Sequence, residues 1–450
     1  MRSFKVAAAA GTGASVPVEC CQICGHAPLD DVLSLGYMPP VNQMVKIGEV
    51  PRQQPWFPTN LLFCRSCELV QLGLAVDPVI IFPPEYPYIS GTTKLLRDNF
   101  ADLHAESKAM LGLGPDDLVI DIGSNDGTLI SNFQNGGHRI LGIEPTDVAK
   151  IAQSRGIPTV QRYFGVDVAR DVRAEHGPAR VVTAANCFAH IEDVHAIVEG
   201  ILELLGPDGV FISESHYLIP LLDTLQYDTV YHEHLRYYSL HSLKHLLEMN
   251  GLEVFHARPI PSHGGSIRVY AARKGVQRVR PSVAEMLGKE PHGTAMTKRL
   301  DDFRRDVLLS KLRLMAMLRD LKEKGARIAG ISAPSRASTM VNYVGLDEAL
   351  IDYVVEIKGS LKIGMYMPGT QIPVVDEAKL FEAQPDAAVI FSWHIADELA
   401  PKLRAKGFKG QLISPLPVPR VLGGNASVDT RSFHLSQREG SACEPFASTS

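Results

Sequence analysis

No stretch of this 450-residue sequence stays apolar for the roughly 20 residues that a membrane-spanning helix needs, so no helical span is expected. An export signal is missing as well. The Ala7–Ala10 run behind Arg2 and Lys5 falls short of the roughly 7–15 apolar residues of a secretory leader. Nor is there a basic stripe with interleaved aromatics: 45 Lys and Arg against 50 Asp and Glu leave a net charge of −5, which argues against nucleic acid as the main partner. Cysteine is scarce, and five of the seven crowd into residues 20–67. What remains is 45% hydrophobic and 21% charged, the balance of a soluble, enzyme-like globular chain long enough for about three domains. The expectation is a cytoplasmic, monomeric protein with no membrane or nucleic-acid partner.

The crowded cysteines read Cys20-Cys21-x-x-Cys24 and Cys64-x-x-Cys67. Two such knuckles, about 40 residues apart, fit a tetrahedral zinc site better than disulfides. The ligands are expected to be Cys21, Cys24, Cys64 and Cys67, with Cys20 as an alternative to Cys21. Four thiolates leave no coordination position for water, so the site should be structural. A region this small builds little core and is expected to lean on its metal. Cys187, in an apolar strand, reads as a small buried hydrophobe.

From Asp117 the pattern becomes β-α-β. Leu118–Ile122 is an apolar run ending in Gly123-Ser124-Asn125-Asp126-Gly127, and a second strand, Arg139–Ile143, ends in Glu144. Glycines let a backbone approach a ligand, and an acid closing the second strand can accept both ribose hydroxyls. The loop has Gly-x-x-x-Gly spacing in place of Gly-x-Gly-x-x-Gly, and Asp121 sits at its mouth. These acids suit a cationic, amino-bearing cofactor and would repel a pyrophosphate, so the region resembles class I S-adenosylmethionine (SAM) methyltransferases more than dinucleotide dehydrogenases. Further strands at Arg180–Ala185 and Val210–Glu214 follow, and later antiparallel strands close the sheet. Tyr86 and Tyr88, just upstream, are either packing aromatics or a cofactor lid.

Tyr231-His232-Glu233-His234 concentrates titratable groups among aromatics. Alone it reads as a catalytic cluster, a metal-binding His pair or a polar loop. A charged amphipathic connector over about 282–324 leads to a second βαβ unit at Arg327–Ser332. There, Ser335, Arg336, Ser338 and Thr339 open a helix and are either a phosphate site or plain caps. A Gly/Pro-rich loop from Leu361 to Thr370 carries Lys362 and Tyr366.

In their order along one chain these motifs resemble the three-domain sugar C-methyltransferases, in particular the C3-methyltransferases of dTDP-4-keto-deoxysugar pathways. The resemblance covers roughly residues 19–420 and implies an α/β protein. Its class I SAM-methyltransferase Rossmann-like domain is flanked by an N-terminal zinc-binding module and a C-terminal Rossmann-like α/β domain that helps hold a nucleotide-linked ketosugar. The chain then divides into a leader (1–18), the zinc module (19–80), the methyltransferase domain (81–280), a connector with the nucleotide-sugar domain (281–420) and a disordered tail (421–450).

The resemblance also implies zinc and SAM as cofactors and assigns Tyr231, Glu233 and His234, with His190 beside them, to catalysis. It assigns Tyr86, Tyr88, Asp121, Gly123, Asn125, Gly127, Glu144 and Phe188 to the cofactor. Ser335, Arg336, Ser338, Thr339, Lys362 and Tyr366 go to the substrate. Two stretches depart from the family: Ala333–Ser338 replaces an Ala-Lys-Gly/Ala-Asn-like segment, and Glu356-Ile357-Lys358 replaces Asp-Asn-Pro. Both lie where the nucleotide should bind, so its identity stays open. The implied reaction is methylation of the sugar carbon next to a 4-keto group through a base-generated enolate. C5-methylation, O-methylation, a nicotinamide-dependent dehydrogenase or epimerase, and a non-catalytic zinc assembly protein are the alternatives.

Overall fold

A computed structural model describes residues 12–50, 53–82 and 90–423. The expected lid residues Tyr86 and Tyr88 and nearly all of the expected tail lie outside that set. The cysteine-rich part contributes β1 (Val16–Pro17), β2 (Asp30–Met38), β3 (Val45–Lys46), β4 (Phe57–Phe63), β5 (Val70–Leu72) and β6 (Leu74–Ala75). β1 pairs with β6, so the segment read as a leader already joins the fold at Val16.

The central sheet comprises β7 (Leu118–Ile122), β8 (Arg139–Ile143), β9 (Thr159–Val160), β10 (Ala179–Ala185) and β11 (Leu205–His216). After the two-residue β12 (Arg236–Tyr237), it is completed by β13 (Leu252–Ile260) and β14 (Ser266–Arg273). Their spatial order is β13-β14-β11-β10-β7-β8-β9, with β14 antiparallel to both neighbours. β7, an interior strand, is buried along its whole length because helices cover both faces of a parallel sheet. Side chains alternate accordingly: Leu118, Ile120 and Ile122 enter one core cluster and Val119 the other.

The C-terminal part forms a second sheet from β15 (Ile328–Ile331), β16 (Tyr353–Glu356), β18 (Val374–Asp376), β19 (Ala387–Ile390), β20 (Gln411–Ser414) and β21 (Arg420–Leu422). β17 (Met365–Tyr366) stands apart from it and pairs with β3. Its order, β18-β16-β15-β19-β20-β21, is parallel except for the last strand.

The connector is a short helix, Pro281–Leu287, and a long one, Thr294–Glu323. The long helix buries Met296, Leu300, Phe303, Val307, Ser310, Leu314 and Leu318, a stripe at the three-and-four spacing of one helix face. Val32, Leu33, Leu61 and Phe63 of β2 and β4 share a core cluster with that stripe and with Met340 and Val341 of the C-terminal part. Besides the metal on which it is expected to lean, the zinc region therefore shares a core with the rest of the chain.

Two short strand pairs stitch the parts together. β12, directly after the Tyr-His-Glu-His motif, pairs antiparallel with β5, matching Arg236 to Gln71 and Tyr237 to Val70. β3 pairs with β17, matching Tyr366 to Val45. Among the described residues no helix is long and apolar enough to cross a membrane.

Candidate active site

The four expected zinc ligands converge. Sγ of Cys21 lies 3.4 Å from that of Cys67, and Sγ of Cys24 lies 3.5 Å from that of Cys64. All four lie within 4.8 Å of one another. Zn–S bonds of about 2.3 Å need such a cage, so the residues fit a structural zinc, and Cys20 stands outside the cluster. Both knuckles close with the same turn, Gly25 N–H donating to the Cys21 carbonyl at 2.9 Å and Glu68 N–H to that of Cys64 at 2.8 Å.

At the carboxyl edge of β7 the chain turns through Gly123 and Asn125, both with left-handed backbone (φ 69° and 50°). A Cβ on Gly123 would stand 2.9 Å from Cys187 Cβ, so only glycine fits. Cys187, half-buried, donates its thiol to the Ile122 carbonyl and acts as packing. Glu144, ending β8, accepts the Asn125 N–H at 3.0 Å and is also held by Thr146. Asp121 accepts from the Thr183 hydroxyl at 2.6 Å. Burial raises its pKa to about 7, with Glu144 and Glu214 pushing the same way and Thr183 opposing. A positive group arriving here restores the carboxylate, which suits the amino group of SAM.

The segment beginning at Ser90 docks on this loop. Ser90 N–H donates to Asn125 Oδ1 at 2.9 Å, and a Cβ on Gly91 would meet Asp126 and Thr128 oxygens at 2.6 Å. Phe188 departs from its expected role: it is fully buried against Phe211 and Tyr238, a core position that presents no surface to a ligand.

The catalytic candidates gather beyond the end of β11. His234 is buried, with the ring centroids of Tyr231 and His190 at 4.1 and 5.0 Å. Its Nδ1 lies 2.8 Å from the Thr229 carbonyl. A carbonyl only accepts, so Nδ1 carries the proton and Nε2 keeps its lone pair. Burial holds the His234 pKa well below 6.5, and His190 adds to this. His190 itself is lowered to about 4 by burial and by His263.

Glu233 accepts a 2.6 Å hydrogen bond from Asn42 Nδ2, and Asn42 Oδ1 accepts one from Ser335 Oγ at 3.0 Å. This relay brings together the zinc region, the motif and the C-terminal helix Ser335–Val344. His232 faces elsewhere, its Nε2 against Thr59 and the Pro58 carbonyl, and is structural.

The motif is fixed to the His190 loop by neighbouring backbone. Leu235 N–H donates to the Ala189 carbonyl at 3.1 Å, and the buried Arg236 caps the carbonyls of Ile191 and Glu192.

The residues assigned to the substrate separate into two groups. Ser335, Lys362 and Tyr366 border the relay: Lys362 Nζ donates to the Ala333 carbonyl at 2.7 Å, and Tyr366 pairs with Val45. Burial lowers the Lys362 pKa against the opposing pull of Glu356 and Glu233. Arg336, Ser338 and Thr339 are buried and turned to structure. Arg336 forks onto Asp228 with two 2.7 Å bonds and lies over the Trp393 ring, whose Nε1 donates to the same carboxylate at 2.8 Å. The Thr339 hydroxyl donates to the Val230 carbonyl, and the Ser338 carbonyl accepts from Asn342 Nδ2.

Three site residues went unread in the sequence. Asn42 lies in an irregular Pro-rich segment with no periodicity to flag it. His216 ends β11, and its ring meets those of His234 and His263 at 4.9 and 5.5 Å. Its place at the carboxyl end of a central strand was the available signal. His263 lies within the turn Ser262–Gly264, which carried no chemical signal, and adopts a left-handed φ of 56°.

A seven-stranded sheet of this order, with a glycine turn and an acid-tipped second strand, defines a SAM-dependent methyltransferase. Family profiles for a methyltransferase domain match residues 93–257, for a zinc binding domain residues 21–82, and for the C-methyltransferase C-terminal domain residues 261–417. The chain belongs to the C-methyltransferase family. It is 32% identical over 418 residues to C-methyltransferase NovU of Streptomyces niveus, spanning 92% of this chain and 99% of that one. Among solved structures, PH0226 of Pyrococcus horikoshii OT3 aligns at 14% identity and TM-score 0.34, over 44% of this chain and 98% of its own. Magnesium protoporphyrin IX methyltransferase of Synechocystis PCC 6803 aligns at 15% identity and TM-score 0.31, over 40% and 83%.

Proposed function

We propose that this C-methyltransferase acts on a nucleotide-linked 4-keto-deoxysugar and methylates C3, the carbon next to the ketone. When bound, SAM supplies an electrophilic methyl on a sulfonium. Asp121, Glu144 and the turn Gly123–Gly127 would hold it.

His234 Nε2 takes the α-proton of the ketosugar, leaving an enolate whose carbon would accept the methyl as the C–S bond of the sulfonium breaks. Tyr231 donates its hydroxyl to the developing enolate oxygen, where a donor is most effective. Glu233, steadied by Asn42, orients the sugar hydroxyls, and His190 bounds the sugar on the opposite face of His234. Ser335, Lys362 and Tyr366 hold the nucleotide side. Burial keeps His234 unprotonated and available at neutral pH, and the negative charge of the substrate favours the imidazolium once the proton moves. Arg336, Ser338 and Thr339 position the motif and do not touch phosphate. The protein works in the cytoplasm.

The observation that carries the reading is the single-tautomer His234 set between Tyr231 and His190 at the carboxyl edge of the methyltransferase sheet. A dTDP-4-keto-deoxysugar incubated in D2O with enzyme but no SAM should exchange its C3 proton. Absence of exchange, with methyl transfer to oxygen on adding SAM, would sink the enolate route. Exchange at C5 would move the methylated carbon.

A further inference from the structure

The sulfur cage is not the only place where metal-binding side chains meet. Glu68, the residue after Cys67, has a left-handed backbone (φ 58°), and its side chain is only 5% exposed. Its Oε1 accepts the Gly293 N–H at 2.7 Å and lies 2.7 Å from His292 Nδ1. Its Oε2 is buried and, among the described residues, accepts no hydrogen bond. A carboxylate oxygen left in this state is costly unless a cation meets it.

Two imidazoles stand beside it. His241 opens the helix Leu240–Met249, and His292 stacks on it with centroids 4.9 Å apart and planes 15° from parallel. Glu290 lies 2.5 Å from His241 Nδ1, and its oxygens also accept the N–H groups of Leu240 and His241 at 2.6 and 3.1 Å. A carboxylate on Nδ1 fixes the tautomer and leaves Nε2 as the donor atom, the arrangement by which proteins orient metal-binding histidines. One donor atom each of Glu68, His241 and His292 lie within 4.8 Å of one another.

We propose that Glu68, His241 and His292 form a second metal site, specific for a zinc-class transition ion and separate from the four cysteines. Two imidazoles and one carboxylate exclude the all-oxygen preference of magnesium and calcium. Three protein ligands leave one position for water or a small anion, so this ion binds more weakly and exchanges faster than the enclosed one. The site ties the zinc knuckle to the start of one methyltransferase helix and to the loop leading into the long helix. An ordinary Glu68–His292 ion pair is the competing account. It would be worth little with His292 69% exposed, and it leaves Oε2 unmet.

The test uses tag-free, full-length protein equilibrated with excess zinc, freed of loose metal by gel filtration and analysed for zinc by mass spectrometry. Wild type should hold two zinc ions per chain, one of them removed by a mild chelator. H292A, which alters an exposed side chain, and E68Q should each hold one, and thermal stability should rise with the second equivalent in wild type only. One ion per wild-type chain under these conditions overturns the site. So does a second ion that both variants retain. Should E68Q fold poorly, H292A alone decides between the outcomes.

Discussion

A single hydrogen bond decides which nitrogen of His234 can accept a proton. Because the Thr229 carbonyl holds Nδ1–H, replacing His234 with Asn keeps that donor and removes only Nε2. H234N should therefore lower kcat by about 10²–10⁴-fold, the usual worth of a general base, with SAM affinity unchanged by calorimetry. Turnover near wild type at saturating SAM would remove His234 from the reaction. Asn42 offers a second residue-level test. Asn42→Ala takes from Glu233 a hydrogen bond to a charged group, worth about 1.5–3 kcal/mol. Steady-state kinetics should show kcat/KM falling by roughly tenfold or more while the circular dichroism spectrum stays unchanged.

The elements decide whether those residues stay in register. The buried Arg336–Asp228 pair couples the helix Ser335–Val344 to the segment three residues before Tyr231. Removing one partner strands the other charge, so Arg336→Met should destabilise the fold by about 3–5 kcal/mol in urea titrations. R336M with Asp228→Asn should recover part of that loss, because the stranded charge is gone. These elements also divide what the sequence could reveal from what it could not. The apolar run of β7, the Gly123 turn and the acid-tipped β8 announce themselves, since a buried parallel strand and a positive-φ glycine each need a particular residue type. The pairing of β5 with β12 depends on two residues of Arg-Tyr, too short for any periodicity. Nor could the sequence decide between a phosphate site and plain caps at Arg336: a guanidinium fork fits phosphate and carboxylate alike, and Asp228 is 108 residues away in sequence.

At the scale of the whole molecule, buried histidines set the response to acid. His190, His232 and His263 are lowered to about 4 by burial, His394 to about 3, and His216 and His234 well below 6.5. An unfolded histidine binds protons from about pH 6.5 downward, whereas these bind them only near their lowered values. Between roughly pH 6.5 and 4 the unfolded chain therefore takes up more protons, and stability falls as pH falls. Asp121 and Glu192, both raised to about 7, and Glu214 and His241, also raised, work in the opposite direction and cost stability as pH climbs, but the six lowered histidines outnumber them. The urea midpoint should accordingly drop steeply from pH 6.5 to 4.5. A flat profile across that window would show that the cluster is open to water.

Chelation should act at this scale too. Stripping the four-cysteine ion loosens β4 and β5 and, through β5, the strand that follows the catalytic motif. Thermal midpoint and turnover are then expected to fall together, whereas the turn Gly123–Gly127 proposed to bind SAM, on a separate sheet, should retain affinity in calorimetry.

The pairing of β3 with β17 has a consequence for protein engineering. Exchanging the C-terminal part with that of a relative, to alter the nucleotide accepted, leaves Met365 and Tyr366 of the donor facing Lys46 and Val45 of the recipient. Such a hybrid has one mismatched seam however well the crossover in the long helix is chosen. A graft that carries residues 42–46 along with the C-terminal part moves Asn42, Val45 and Lys46 with their partners and should preserve the relay to Glu233. If the C-terminal part sets substrate choice, as proposed, the piece to exchange is discontinuous: a short N-terminal strap and the last third of the chain travel together.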